Sequence, residues 1–182
     1  IKSYGIELGL QMMTGLYKDK PCYCIETARE FAELKADTVR IYPTVILKGT
    51  LLDELRKQGL YESFSFEETV DLCAELLLFF EGKNIPVIRL GLHASEGVEE
   101  QMTGGVYHQA LGEIVRSRIM LMRMREQMIK LDGERFVVYT DKRNIGTVVG
   151  HGGQNKALLA KEGITFKIKE KTGVYLEIKT VS

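Results

Sequence analysis

The sequence predicts an α/β fold in which parallel strands carry helices on their outside, followed by a helical segment and a small α+β module. Three observations lead to it. Over residues 6–92, short apolar runs rich in β-formers alternate with stretches of helical periodicity in the order β-α-β-α-α-β, which implies parallel strands joined by crossover helices. Residues 109–129 then form one Met- and Arg-rich helical stretch. Beyond Asp132-Gly133 a compact β-α-α-β-β pattern follows.

Taken in order, Ile6 to Met13 is an apolar strand ended by Thr14-Gly15, and Ile25 to Leu34 is a helix with Ala28, Phe31, Ala32 and Leu34 at mostly helical spacing. Thr38 to Tyr42 is β-rich and stops at Pro43, and Thr50 to Arg56 reads as a short helix. Ser65 caps the next helix with Glu68 at the capping-box position; its stripe is Val70, Cys73, Leu76, Leu77 and Phe80, and Gly82 ends it. Ile85 to Leu92 is a further strand. His93 to Val106 turns to Gly, Ser, Thr and Glu and reads as a loop of functional length, and the methionines of Gln109 to Ile129 are expected to pack a core. The small module reads as strands Glu134 to Thr140, Ile164 to Lys169 and Gly173 to Lys179, with helices Asn144 to Val149 and Gln154 to Glu162. The expected organisation is therefore 1–92 as part of an α/β barrel or open sheet, 93–130 as a loop and helical extension, and 131–182 as a separate small domain.

Composition bounds the reading. The 182 residues are 45% hydrophobic and 27% charged, as in an ordinary globular chain. The longest apolar stretch, Leu76 to Phe80, falls far short of the roughly 20 residues of a membrane span. No basic-then-apolar signal segment opens the chain, and Cys22 and Cys24 are too close for an ordinary disulfide, so a reducing, cytoplasmic setting is expected. The first residue is Ile1 rather than Met, which reads as a piece of something longer. Net charge is zero, yet residues 1–133 hold 16 Lys+Arg against 20 Asp+Glu while 134–182 hold 9 against 5. A basic module behind an acidic body is what a nucleic-acid contact would need.

Strand alternation places Glu7, Gly9, Gln11 and Met13 on one face of the first strand, Arg40 and Tyr42 on one face of the second, and Val87, Arg89 and Gly91 on one face of the third. An unpaired Arg in a barrel interior would cost several kcal/mol, so Arg40 needs a partner or a ligand. One reading is an internal ion-pair network, Glu7 with Arg40 or Arg89. The other is a site for an anionic or zwitterionic ligand at the C-terminal strand ends, which carry Gln11, Thr14, Tyr42, Thr44 and Arg89. No metal site is expected: His93, His108 and His151 lack ligand spacing, and Cys22 and Cys24 lack a third and fourth ligand. Nor does the Glu-rich segment Glu96 to Glu100 support acid–base catalysis.

Arg40-Ile41-Tyr42-Pro43-Thr44, then Lys48-Gly49-Thr50, Leu55, Gly59 and Tyr61, closely resembles a motif of radical S-adenosylmethionine (SAM) proteins related to the catalytic subunit of Elongator. Gly9 to Leu16 resembles that family's preceding strand and turn, and Val87 to Leu90 a later arginine-bearing strand. The resemblance covers about residues 5–92. It implies half of a TIM-like barrel, with Gln11, Arg40, Tyr42 and Arg89 lining a shelf for SAM and substrate, in a parent protein that uses SAM and a [4Fe–4S] cluster, plausibly on a tRNA base. Two departures stand out. Tyr17-Lys18 replaces Pro-Gly in the turn, and the CxxxCxxC motif that would hold the cluster is absent, Cys22-Tyr23-Cys24 having the wrong spacing and Cys73 lying on a helix stripe. The cluster-binding half is expected to precede Ile1 and to act as this chain's partner, so the chain alone is expected to hold neither cofactor. Nothing in it resembles an acetyltransferase domain.

Val148-Val149-Gly150-His151-Gly152-Gly153, between two short helices, resembles the core of a KH domain, whose GxxG turn lets the phosphodiester of single-stranded RNA approach closely. Such a domain implies RNA contacts at Gly150, His151, Gly152 and Gly153, with Lys142, Arg143 and Lys156 meeting phosphates. Lys156 departs from the apolar residue usual there, and Leu158 and Leu159 would take over its packing. Glycines also end helices without any ligand. Two functions remain open at this point: the SAM- and substrate-lining part of an enzyme, or a non-catalytic RNA-binding or scaffold protein.

Overall fold

The structure, a computed structural model, describes residues 1–92 and 97–181. His93 and Glu96 fall outside the described residues. The chain divides into two compact units, Ile1–Gly112 and Glu113–Ser182.

The first unit runs β1 (Gly9–Thr14), α1 (Pro21–Glu33), β2 (Thr38–Pro43), β3 (Val45–Leu47), α2 (Leu51–Lys57), α3 (Phe66–Gly82), β4 (Val87–Leu90), α4 (Val98–Gln101) and β5 (Met102–Gly105). Strands β1, β2 and β4 form a parallel sheet in that order, with Gln11 beside Arg40, Met13 beside Tyr42 and Arg40 beside Arg89. Alternation decides the faces: Val39 and Ile41 are fully buried, whereas Arg40 and Tyr42 stay half-exposed. Buried Ala28 of α1 and Leu72, Cys73, Leu76 and Phe80 of α3 complete the apolar side. Helix α3 starts as predicted, with Ser65 accepting from the Glu68 amide and the Glu68 carboxylate accepting from the Ser65 amide at 2.8 Å. Helix α1 starts four residues earlier than periodicity placed it, on Pro21, whose fixed φ suits a first helical position.

The stretch read as a loop is partly regular. Residues 98–101 form α4, and β5 pairs antiparallel with β3, Val45 opposite Gly105 and Ile46 opposite Gly104. Asp53 anchors this ribbon to α2. Its buried carboxylate accepts from Lys57 Nζ (2.6 Å), Thr103 Oγ1 (2.7 Å) and the Gly49 amide (3.1 Å), which together hold its pKa well below the carboxylate range. A lowered folded-state pKa contributes stability above the unfolded value of about 3.9, and that stability is lost as pH falls toward the folded value. Asp53→Asn is therefore expected to weaken hydrogen-exchange protection of residues 45–57 and 102–105 at neutral pH while narrowing the difference from the parent in acid. An equal deficit at both pH values would refute the charge-based account.

The second unit holds nearly all of α5 (Leu111–Leu131), then β6 (Arg135–Thr140), α6 (Ile145–Val149), α7 (Gln154–Lys161), β7 (Thr165–Glu170) and β8 (Glu177–Thr180). Its sheet order is β7-β6-β8, with β6 parallel to β7 and antiparallel to β8. Met120, Leu121, Met124 and Met128 of α5 pack with Phe136, Val138, Val148, Leu159, Phe166 and Ile178 in one core. The methionines thus fill a core, and α5 is part of the second unit rather than an extension before it. No described helix is long and apolar enough to cross a membrane.

Candidate functional site

In the first unit, one cross-strand row runs Gln11, Arg40, Arg89, and the next places Met13 beside Tyr42. Gln11, Met13, Tyr42, Arg89 and Leu92 line a cavity of about 600 Å³. Three of the four predicted residues therefore share one pocket. Arg40 shares their face but is not among the lining residues: its Nη1 lies 3.8 Å from where a Cβ on Gly9 would stand. Among the described residues neither Arg40 nor Arg89 pairs with Glu7 or another carboxylate, so the ion-pair network is not formed and the face keeps two uncompensated positive charges. Such a face favours an anionic group.

The strand ends are locked together. Thr44 donates to the Thr14 carbonyl through both its amide (2.9 Å) and its hydroxyl (2.8 Å), while Thr14 Oγ1 is buried without a hydrogen-bond partner among the described residues. The adjacent turn survives the loss of Pro-Gly. The Asp19 amide donates to the Leu16 carbonyl at 2.9 Å with Lys18 in the left-handed region (φ 61°), and Asp19 Oδ2 accepts from the Gly15 amide at 2.8 Å and Cys24 Sγ at 3.1 Å. Tyr61 donates to the Gly15 carbonyl from the other side.

These contacts decide what the cysteines can do. Burial, then the Asp19 carboxylate, pushes the Cys24 thiol up to about 12, and burial alone pushes Cys73 to about 12. Both stay neutral buried thiols, and Cys22 is the exposed one of the three cysteines. Among the described residues no three His, Cys, Asp or Glu side chains gather as a metal-holding group. The residues present therefore suit an anionic group, such as the carboxylate of an amino-acid moiety, which Gln11, Tyr42 and Arg89 could meet, but do not gather the ligands of an iron–sulfur cluster.

In the second unit, Gly150, His151, Gly152 and Gly153 form the connection between α6 and α7. Gly150 (φ 84°, ψ 158°) is buried, and a Cβ there would lie 2.6 Å from the Asn155 amide nitrogen. Gly152 and Gly153 have nothing within 4 Å of a Cβ position and present open backbone. Lys142 and Arg143, in the 3-10 turn before α6, and Lys156, in the first turn of α7, are exposed, although Arg143 Nε rests 3.2 Å from Asp141. Leu159 is fully buried in the core and Leu158 packs partly against it, while Lys156 is exposed. Sequence reasoning missed Asn155, buried at 3% exposure, whose amide donates to the carbonyls of Ser117 (2.8 Å) and Thr147 (3.1 Å). No periodicity announces a side chain whose partners are backbone groups.

The first unit is thus an α/β domain with a parallel sheet and a polar, arginine-bearing pocket on one sheet face, and residues 36–120 match the Radical_SAM C-terminal domain. That match takes in just under half of the chain, and the chain is also similar to proteins named Elongator complex protein 3. It is 43% identical to the Saccharomyces cerevisiae protein of that name over 56 residues (29% of this chain, 10% of the relative). It is 36% identical to the Homo sapiens protein over 84 residues (42% of this chain, 14% of the relative). It is 46% identical to the Dictyostelium discoideum protein over 43 residues (24% and 8%). The chain thus spans only about a tenth of the length of these curated relatives.

Proposed function

We propose that this chain supplies the SAM- and substrate-lining strands of a radical-SAM enzyme that modifies a base of tRNA, and that its second unit holds the RNA at the glycine loop. The [4Fe–4S] cluster would be held by cysteines outside these 182 residues, since Cys22, Cys24 and Cys73 do not fit it. Bound to such a cluster, SAM supplies radical chemistry; Gln11, Tyr42 and Arg89 would orient its polar groups, and Arg40 would add positive potential behind them. A cytoplasmic setting accords with the free cysteines.

The observation that carries the RNA part is the loop itself: open backbone at Gly152 and Gly153 between two helices, flanked by Lys142, Arg143 and Lys156. Backbone amides and absent side chains are what a phosphodiester needs for close approach. Replacing His151 and Gly152 with Asp puts two carboxylates on that path and leaves Gly150 and Gly153 to make the turn. The double variant is expected to lose binding of labelled single-stranded RNA in fluorescence anisotropy while its circular dichroism stays that of the parent. The whole chain should be used, because a cut at residue 131 would remove four α5 residues from the core. Equal binding by both proteins would sink the reading and leave a scaffold role.

A further inference from the structure

We propose that the open face of the second unit's sheet binds a single-stranded polynucleotide, with phosphates held by Lys167, Lys169, Lys179 and Arg135 and a base stacked on Tyr139. The inference shares with the reading above only the class of partner. It uses the sheet face opposite the helices, not the glycine loop.

Alternation sorts this sheet cleanly. Phe136 and Val138 of β6, Phe166 of β7 and Ile178 of β8 point into the core shared with the helices. The other parity faces outward, and register sets it in rows: Lys167, Val137, Lys179 in one, and Lys169, Tyr139, Glu177 in the next, with Arg135 beside Thr165 at the end of the sheet. Lys167, Lys169, Lys179 and Arg135 are exposed, and Tyr139 is half-buried at the centre. Lys171 joins this face, its Nζ 5.8 Å from the Tyr139 ring centroid, while Lys179 Nζ stands 5.5 Å away. Five of the nine cations of residues 134–182 thus converge on one sheet face that carries a single carboxylate.

Lysines on edge strands also protect against strand pairing, and β7 and β8 are both edges. That role requires neither an aromatic ring on the central strand nor charges left uncompensated. Here Lys167, Lys169 and Arg135 have no ion pair among the described residues, while Glu177 alone bridges Lys171 and Lys179, the latter at 3.2 Å. Glu177 occupies the position a phosphate would take between two ammonium groups. A ring with cations around it is the arrangement that receives an unpaired base and its backbone together, because stacking tolerates any base and lysines track phosphates.

The test uses the full chain and a labelled oligouridylate of about ten nucleotides, titrated at several salt concentrations. Lys167→Ala/Lys169→Ala is expected to weaken binding and to lower the salt slope by about 1.4, two contacts at about 0.7 each. Tyr139→Ala should cost about tenfold at unchanged slope, and Tyr139→Trp, which keeps a ring to support the fold, should bind at least as tightly as the parent. Glu177→Gln should tighten binding by freeing two lysines, and a control pair remote in sequence, Lys48→Gln/Lys83→Gln, should leave it unchanged. The same sequence in duplex form should bind more weakly, since its bases are not free to stack. Sheet variants that bind like the parent overturn this inference and leave the loop reading standing; loss in the sheet variants with none at His151 and Gly152 does the reverse. Polyglutamate bound as tightly as the oligonucleotide, or binding indifferent to Tyr139, would also overturn it, assigning the face to an acidic peptide.

Discussion

Asn155→Asp is expected to unfold the second unit at neutral pH and to spare it in acid. In the parent, the Asn155 amide nitrogen, at 3% exposure, faces the carbonyls of Ser117 (2.8 Å), Thr147 (3.1 Å) and Val148 (3.4 Å), tying α5 and α6 to the start of α7. An aspartate there turns a donor into a negative charge facing acceptors. Leaving a buried charge uncompensated costs about 3–5 kcal/mol, a large share of the ~5–15 kcal/mol that holds a typical domain together. The carboxyl would respond by keeping its proton, so its folded-state pKa would rise above the unfolded value of about 3.9. With a raised pKa, stability is complete below the unfolded value and is lost as pH climbs through the folded one. Asn155→Leu, with neither charge nor donor, should instead lose about 1–3 kcal/mol at every pH. Urea unfolding of both variants, followed by hydrogen exchange in residues 113–181 near pH 4 and pH 7.5, separates the two. A deficit for the Asp variant that does not change with pH would show that the charge is not the cause. Because Gly150 packs directly against Asn155, RNA binding should fall together with folding here, unlike at His151 and Gly152, where binding alone should fall.

Much of this architecture was legible because it rests on periodicity. Val39 and Ile41 buried against Arg40 and Tyr42 half-exposed is simple strand alternation, and Ser65 with Glu68 announced α3 by a local exchange of hydrogen bonds. What escaped depends on groups distant in sequence or on backbone. The β3–β5 ribbon joins Val45–Leu47 to Met102–Gly105, and Gly104-Gly105 carries too little β-propensity to reveal it; the close approach of the two backbones is what glycine permits. Arg40 illustrates a different limit. Parity assigned it correctly to the face of Gln11, Tyr42 and Arg89, but parity does not say where along the face a long side chain will lie, and its Nη1 ends near Gly9 instead of lining the cavity. The glycine loop was visible as a Gly-rich break between two short helical stretches. The surface across the sheet was present as alternating lysines, yet it acquires meaning only once register sets Tyr139 between them.

Gly105→Ala should open the β3–β5 ribbon and disturb the pocket beyond it. Gly105 has φ 81°, and an added Cβ would stand 2.2 Å from the Thr44 carbonyl oxygen and 3.0 Å from Val45 Cα. Both are backbone atoms and cannot swing aside as a side chain would. Left-handed strain of about 1–3 kcal/mol and steric insertion of similar size together put the cost on the order of 3 kcal/mol or more. The strain would not stay local. Thr44 accepts from the Val106 amide at 3.0 Å and donates twice to Thr14, so displacing it pulls on the ends of β1 and β2 that carry Met13 and Tyr42 into the cavity. Gly104→Ala is the matched control: its Cβ would meet Ile46 Cδ1 at 3.0 Å and Arg56 Cδ at 3.2 Å, both on flexible side chains, and its φ is not positive. Hydrogen exchange should show residues 45–47 and 102–106 losing protection in the Gly105 variant, little change in the Gly104 variant, and none in residues 113–181 for either. If the two alanines behaved alike, the ribbon would not depend on backbone approach at Gly105, and the route proposed from β5 through Thr44 to the pocket would have no basis.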